Sequence, residues 1–460
     1  MRRRGRIALF LLAVVAALTA WFVPPQLRFL SAACAYAAKV AASACFVGQR
    51  SLDDVRREEL ARFAMLSITL DEANRSATAT AFAIVQATAR VREGLGATLV
   101  HEPSRPLVPD RLGQPIAAAA VDAPWPEGEA LDASALTPSQ RARLARVIDA
   151  AFADAPDAGP ARTRAVVVAW RGRLVAERLA PGFAPDVPQH GWSMSKTVLA
   201  TLFGVLARQG RVDLQARAPL AAWRDAHDGR ETITVDQLLR MESGLRFVED
   251  YEDPDSDALR MLFLVDDMAA HAASRAIDVA PDRRWQYSSG TSLILSRLLR
   301  EIVGEATIPG FAREALFRPL GMRSALVEFD GSGTPVLSSY VWASPRDWAR
   351  LGQLWLQDGV WRGERLLAEG FVAYATTPTP HAPQARFGAH VWLNAGDAAG
   401  SRVWPDLPRD VFWAAGFDGQ YLVVIPSHQL VVVRLGQTPD RRSFDLSALV
   451  AGAIAAVGAD

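Results

Sequence analysis

The chain has 460 residues, half of them hydrophobic, with 50 basic and 50 acidic side chains that cancel to a net charge of zero. That is enough apolar material for a large core and for one or two domains. No long basic stripe interrupts the balance, which excludes nucleic-acid binding of the ordinary electrostatic kind.

Four arginines in MRRRGR open the chain, and residues 7–23, IALFLLAVVAALTAWFV, follow without a charge. The segment is at the short end for a membrane span and long for the core of a signal peptide. It predicts a transmembrane helix within residues 1–25, its arginines cytoplasmic by the positive-inside rule, or a signal cleaved on export. Either way the remainder is exported, and the expected location is the periplasm, anchored in the inner membrane through residues 7–23. Residues 26–46 are Ala-rich and read as a helix containing both cysteines, Cys34 and Cys45. Eleven helical steps separate their Cα atoms by about 16 Å, beyond the roughly 7 Å that a disulfide tolerates, so two small buried thiols are expected.

Residues 51–100 mix helical and strand-like patterns. Pro103, Pro106, Pro109, Pro115, Pro124 and Pro126 then mark a long loop. Residues 26–160 thus read as an N-terminal helical region with a Pro-rich loop, and Thr137 before Pro138 is a good cap for a helix over 136–155. TRAVVVAWRGRLVAERLAPG, 163–182, predicts two strands joined at Arg171–Gly172. VFWAAGFDGQYLVVIPSHQLVVVRLG, 411–436, predicts three more, with turns near Asp418–Gly419 and Pro426–Ser427, and a helix closes the chain. Residues 193–370 between them are mostly helical. The expected class over 161–460 is α+β, an antiparallel sheet built from both ends, flanked by helices, with a large helical insertion.

Chemistry enters at SMSK, residues 193–196. Lys196 and Lys39 are the only lysines; every other basic residue is an arginine. If 193–210 is a helix, Ser193 and Lys196 share a face at i, i+3, with the hydroxyl at the positive helix end. A serine hydroxyl needs a neighbouring base to become a nucleophile. A buried amine can lose its proton for that purpose, whereas a guanidinium cannot. The bland alternative is a capping serine beside a surface charge, and the scarcity of lysine argues against it. Tyr287, in WQYSSG, is a candidate proton carrier for a leaving group, and WAAGFDGQ, 413–420, a strand edge of small residues whose backbone could approach a substrate.

In this order and spacing, Ser-x-x-Lys, Tyr-x-Ser and a small-small-Gly strand resemble the serine beta-lactamase superfamily over roughly residues 160–455. The subgroup resembled is that of class C-like hydrolases, esterases and 6-aminohexanoate-dimer hydrolases. TITVDQLLRMESGL, LFRPLGM and SPRDWARLGQLWLQDGVWRGERLL add to the likeness. The resemblance implies a beta-lactamase/transpeptidase-like fold and an acyl-enzyme on Ser193, with Lys196 and Tyr287 as acid/base partners. The N–H groups of Ser193 and Phe417 would form the oxyanion hole. By the same resemblance, Ser289 stands in the third place of the Tyr-x-Asn motif, Ala415 and Gly416 would lie on the substrate strand, and Tyr251 would line the cleft by analogy with the dimer hydrolases. Ala414 stands where the family places a Lys or His that binds the carboxylate of beta-lactams, which points away from classical beta-lactamase chemistry.

The function expected is therefore hydrolysis of a small-molecule amide or ester, without metal or organic cofactor. The histidines and cysteines have no metal-ligand spacing, and no phosphate-binding glycine loop occurs. The acidic run at 249–257 reads as a solvated loop, and His190 as a structural side chain rather than the base. A non-catalytic binding or sensor protein on the same fold is the alternative; it has no need of a deprotonatable lysine beside Ser193 and Tyr287.

Overall fold

The computed structural model describes residues 26–101, 116, 122–155, 157 and 159–458. The arginine cluster, the apolar segment 7–23 and most of the Pro-rich loop lie outside the described residues.

Helix α1 (Gln26–Phe46) follows the sequence expectation. It is long and apolar enough to cross a bilayer, but 67% of its most apolar window is buried within the protein. Its alanines, among them Ala33, Ala37, Ala38 and Ala41, let neighbouring elements approach closely and join the main core. In this structure it is a core helix. Cys34 and Cys45 are both free thiols; Cys34 is buried as expected, whereas Cys45, near the end of α1, is only partly buried.

Residues 67–99 differ from the helical N-terminal region expected. They form an antiparallel meander of β1 (Ser67–Asp71), β2 (Ser76–Ala81), β3 (Val85–Arg92) and β4 (Gly96–Leu99). SATATA alternates with period two. Ala77, Ala79 and Ala81 are buried, while Thr78 meets Thr88 across the strands at 2.8 Å. That alternation and the β-branched threonines outweigh the helix propensity of alanine.

Beyond the helix Pro138–Ala151, capped by Thr137 and Gln140 in a reciprocal box, the central sheet has six antiparallel strands. Two of them are β5 (Thr163–Trp170) and β6 (Arg173–Leu179). The short strands β7 (Gln189–His190), β8 (Leu326–Val327) and β9 (Val341–Ala343) make a separate three-stranded sheet, and β10 (Val360–Trp361) with β11 (Glu364–Arg365) a small hairpin. The six-stranded sheet is completed by β12 (Trp392–Leu393), β13 (Phe412–Gly416), β14 (Gln420–Ile425) and β15 (Leu430–Gly436), in the order β12-β13-β14-β15-β5-β6. Val432 opposite Val168 sets the register that joins the two chain ends. One face packs against the helix Pro345–Leu356 within the main core. The other buries a second core under Pro138–Ala151 and the closing helix Leu446–Gly458. The insertion between β6 and β12 is mainly helical, as expected, and includes Ser195–Arg208, Asp257–Phe263 and Ser289–Val303.

Lys39 locks α1 to this body. It is 4% exposed and forms an ion pair with Glu328, which is fully buried. Glu328 also accepts hydrogen bonds from Ser43 Oγ and the Ala97 N–H, both at 2.8 Å, and from Trp342 Nε1 at 3.1 Å. One carboxylate thus joins α1, the start of β4 and β9. Removing one partner of a buried pair strands the other charge. Glu328→Ala is expected to cost about 3–5 kcal/mol of stability, read as a lowered urea midpoint.

Candidate active site

The chain enters the site through a strained turn. Trp192 has φ +47°, and a single 3-10 turn, Trp192–Met194, precedes the α-helix Ser195–Arg208. Ser193 therefore sits on this 3-10 turn, two residues ahead of the α-helix. Ser195 fastens this junction by donating to the Trp192 carbonyl at 2.6 Å and accepting from the Val341 N–H at 2.9 Å. Strained backbone of this kind needs such fastening to persist.

Lys196 is 2% exposed. Its Nζ lies 3.0 Å from Ser193 Oγ, 3.1 Å from Ser289 Oγ and 2.8 Å from the Ser338 carbonyl oxygen. Three neighbours suit both of its charge states. The ammonium donates to all three. The neutral amine donates to Ser338 and Ser289 and turns its lone pair to the Ser193 hydroxyl. Burial brings its pKa down to about 8, with the negative charge of Glu249 pulling the other way. The ring of Tyr287 lies 4.9 Å from Nζ.

Tyr287 reaches Ser193 with its hydroxyl, and burial, the largest influence, holds its pKa above the ordinary phenol value. It is a neutral donor at any ordinary pH. Its ring stacks on Trp392 at 5.6 Å and meets Phe387 edge-on at 6.1 Å. Ser288 caps the helix Ser289–Val303 by accepting from the Thr291 N–H at 3.1 Å, which places Tyr287 just before a rigid helix end.

The acidic run at 249–257 is more than a solvated loop. Glu249 turns into the site and accepts from Ser289 Oγ at 2.6 Å, the Ser289 N–H at 2.8 Å and Tyr251 Oη at 2.7 Å. Tyr251 is 46% exposed, with only its hydroxyl end drawn in. A chain of contacts thus runs from Lys196 through Ser289 to Glu249. The sequence reading passed over Glu249 because one carboxylate among many carries no mark of its fold partners. Ser338, whose carbonyl holds Lys196, has no motif at all.

Strand β13 forms the facing wall. A Cβ built on Gly416 would lie 2.2 Å from the Gly191 carbonyl oxygen, so glycine is what lets this strand end approach the turn carrying Ser193. The turn beyond it is held from behind. Gln420 Nε2 donates to the Phe417 carbonyl at 3.1 Å, and the buried guanidinium of Arg434 donates to the Gly419 carbonyl at 2.7 Å. The indole of Trp192 meets the Phe417 ring edge-on at 5.6 Å.

A cavity of about 460 Å³ opens here. Ser193, Tyr287, Tyr251, Ala415, Gly416 and Phe417 line it, together with Glu249, while Lys196 and Ser289 are buried behind that surface. The structure thus gathers every candidate residue into one place. Ala414, 4% exposed, belongs to the core instead. His190 is stacked between Trp192 and Trp342, with centroids 3.9 and 4.7 Å away, and its Nε2 is 2.8 Å from the Ser339 carbonyl oxygen. Burial holds it neutral. Among the described residues no cluster of side chains could hold a metal ion.

Comparison with known proteins bears on the family and the fold. A beta-lactamase family model matches residues 148–456. The chain is 24% identical over 306 residues to a 6-aminohexanoate-dimer hydrolase of Paenarthrobacter ureafaciens, covering 60% of this chain and 73% of that protein. Among solved structures it resembles a family VIII carboxylesterase at 17% identity, with a TM-score of 0.53 over 70% of this chain and 98% of the other. A D-stereospecific amidohydrolase from Streptomyces sp. is similar at 19% identity, with a TM-score of 0.51 over 67% of this chain and 97% of the other. At these identities the solved structures speak to the fold.

Proposed function

The chain belongs to the beta-lactamase family and is a hydrolase of that type, and we propose that it cleaves an amide or ester bond through an acyl-enzyme on Ser193. The observation that carries this reading is the Lys196 amine, buried against Ser193 Oγ with its pKa brought to about 8. An amine so placed is neutral often enough to serve as a base near neutral pH.

In the first half-reaction the Ser193 proton passes to Lys196 as Oγ attacks the substrate carbonyl carbon. The N–H groups of Ser193 and Phe417 hold the oxyanion that develops. Tyr287 gives its proton to the leaving nitrogen or oxygen, and Lys196 returns one to Tyr287. The C–N or C–O bond breaks and the acyl group stays on Ser193. In the second half a water replaces the leaving group and the same protons travel in reverse. Ser289 and Glu249 act as positioning residues for Lys196. Residues 7–23 anchor the enzyme to a membrane in this reading, or direct its export.

Two measurements test it. The value of kcat/KM on a simple p-nitrophenyl ester is expected to rise with pH through about 8, because the neutral amine is the active form. Glu249 favours the ammonium, so Glu249→Gln is expected to move this rise to lower pH. A rise that stays in place, or moves upward, counts against Lys196 as the base. A substrate panel of linear amide oligomers, short esters, D-amino-acid peptides and a chromogenic cephalosporin then ranks the substrate classes. The cephalosporin is expected to rank last, since Ala414 offers no cation for its carboxylate. No turnover of any member by the folded protein counts against the acyl-enzyme reading.

A further inference from the structure

The cavity beside Ser193 has one wall that the family match at 148–456 does not include. Phe29, Ala33 and Tyr36 on α1, Phe63, and Leu262 and Phe263 of the helix Asp257–Phe263 together line the space that Ser193 enters. Tyr36 holds this wall together. Its ring is 5.3 Å from that of Phe63, 5.6 Å from Phe263 and 6.3 Å from Trp192. Arg28, next to Phe29 in the chain, pairs with Asp255 at 2.6 Å on the surface. Phe29 remains 40% exposed.

We propose that this wall is a pocket for a long apolar acyl chain, so that the preferred substrates are esters or amides of medium- and long-chain aliphatic acids. The inference rests on the acyl-enzyme reading above and names its substrate class. The proposal takes its orientation from Tyr287, the proton donor to the leaving group, which stacks on Trp392. Tyr36 packs on Trp192, whose indole edges onto Phe417. In the proposal the leaving group lies on the Tyr287 side of this cavity and the acyl chain on the side of Tyr36 and α1. An aliphatic chain there displaces water from apolar side chains, and each buried methylene adds binding that persists in the transition state.

The test is a chain-length series of p-nitrophenyl esters, from acetate to decanoate, on the full-length enzyme. The value of kcat/KM is expected to rise roughly two- to four-fold per added methylene until the pocket is filled. A parallel series of acetates of lengthening alcohols is expected to stay flat. Ala33→Phe fills the pocket and is expected to lower decanoate turnover about tenfold or more relative to acetate, with folding read separately from the melting temperature. If that variant does not fold, the two series on the wild type decide the matter. A flat acyl series, or a rise confined to the alcohol series, overturns the inference while Ser193-dependent acetate hydrolysis leaves the hydrolase reading standing. Acetate hydrolysis that survives Ser193→Ala overturns the acyl-enzyme reading, and the inference with it.

Discussion

Lys196→Arg is expected to lower kcat by about three orders of magnitude, within the span that general-base catalysis contributes, although it keeps the positive charge. The native amine has three polar neighbours, Ser193 Oγ, Ser289 Oγ and the Ser338 carbonyl. Only in the neutral state can it accept the Ser193 proton. A guanidinium keeps its proton at every pH the protein tolerates, so Ser193 would face a permanent donor. Steady-state kinetics on a p-nitrophenyl ester check this. A variant rate within a few-fold of wild type would remove Lys196 from the proton path. Lys39 shows that a buried lysine alone is no sign of catalysis. Its partner is a carboxylate within the core, and its loss would appear in stability.

Gly416→Ala is expected to be nearly as damaging, by a different route. The added methyl would come 2.2 Å from the Gly191 carbonyl oxygen, closer than any two such atoms can stand, and the obstacle is backbone on both sides. Strand β13 and the turn carrying Ser193 must then separate. The turn bears one proposed oxyanion donor, Ser193, and the strand leads directly into the other, Phe417. Loss of one such donor typically costs a hundred- to a thousand-fold in kcat, and displacement of the strand should act at about that scale. Affinity for a boronic acid that mimics the tetrahedral intermediate is expected to fall in parallel. Wild-type kcat in this variant would mean that β13 does not set the oxyanion hole.

What could be read from the chain depended on how local each feature is. Ser193 and Lys196 are neighbours because of a helical turn, and the strands at 163–179 and 412–436 announce themselves by β-branched runs and turn residues. These are properties of short windows. The sheet at 67–99 was harder, since alanine-rich alternation conflicts with alanine's preference for helix. Glu249 and the Ser338 carbonyl were beyond reach. Each takes its place through a partner 40 and 142 residues away in sequence, and only the folded chain makes that pairing. The same holds for α1. Its apolar length suggests a membrane or a core, and nothing local says that Tyr36 would meet Trp192 beside the nucleophile.

The central claim is that Ser193 becomes acylated. Intact-mass analysis after treatment with a fluorophosphonate, followed by peptide mapping, tests it most directly. The account predicts one adduct on the wild-type chain, located on Ser193, formed faster as pH rises through about 8, and absent from Ser193→Ala. An adduct on another residue, or equal labelling of the Ser193→Ala chain, would contradict it.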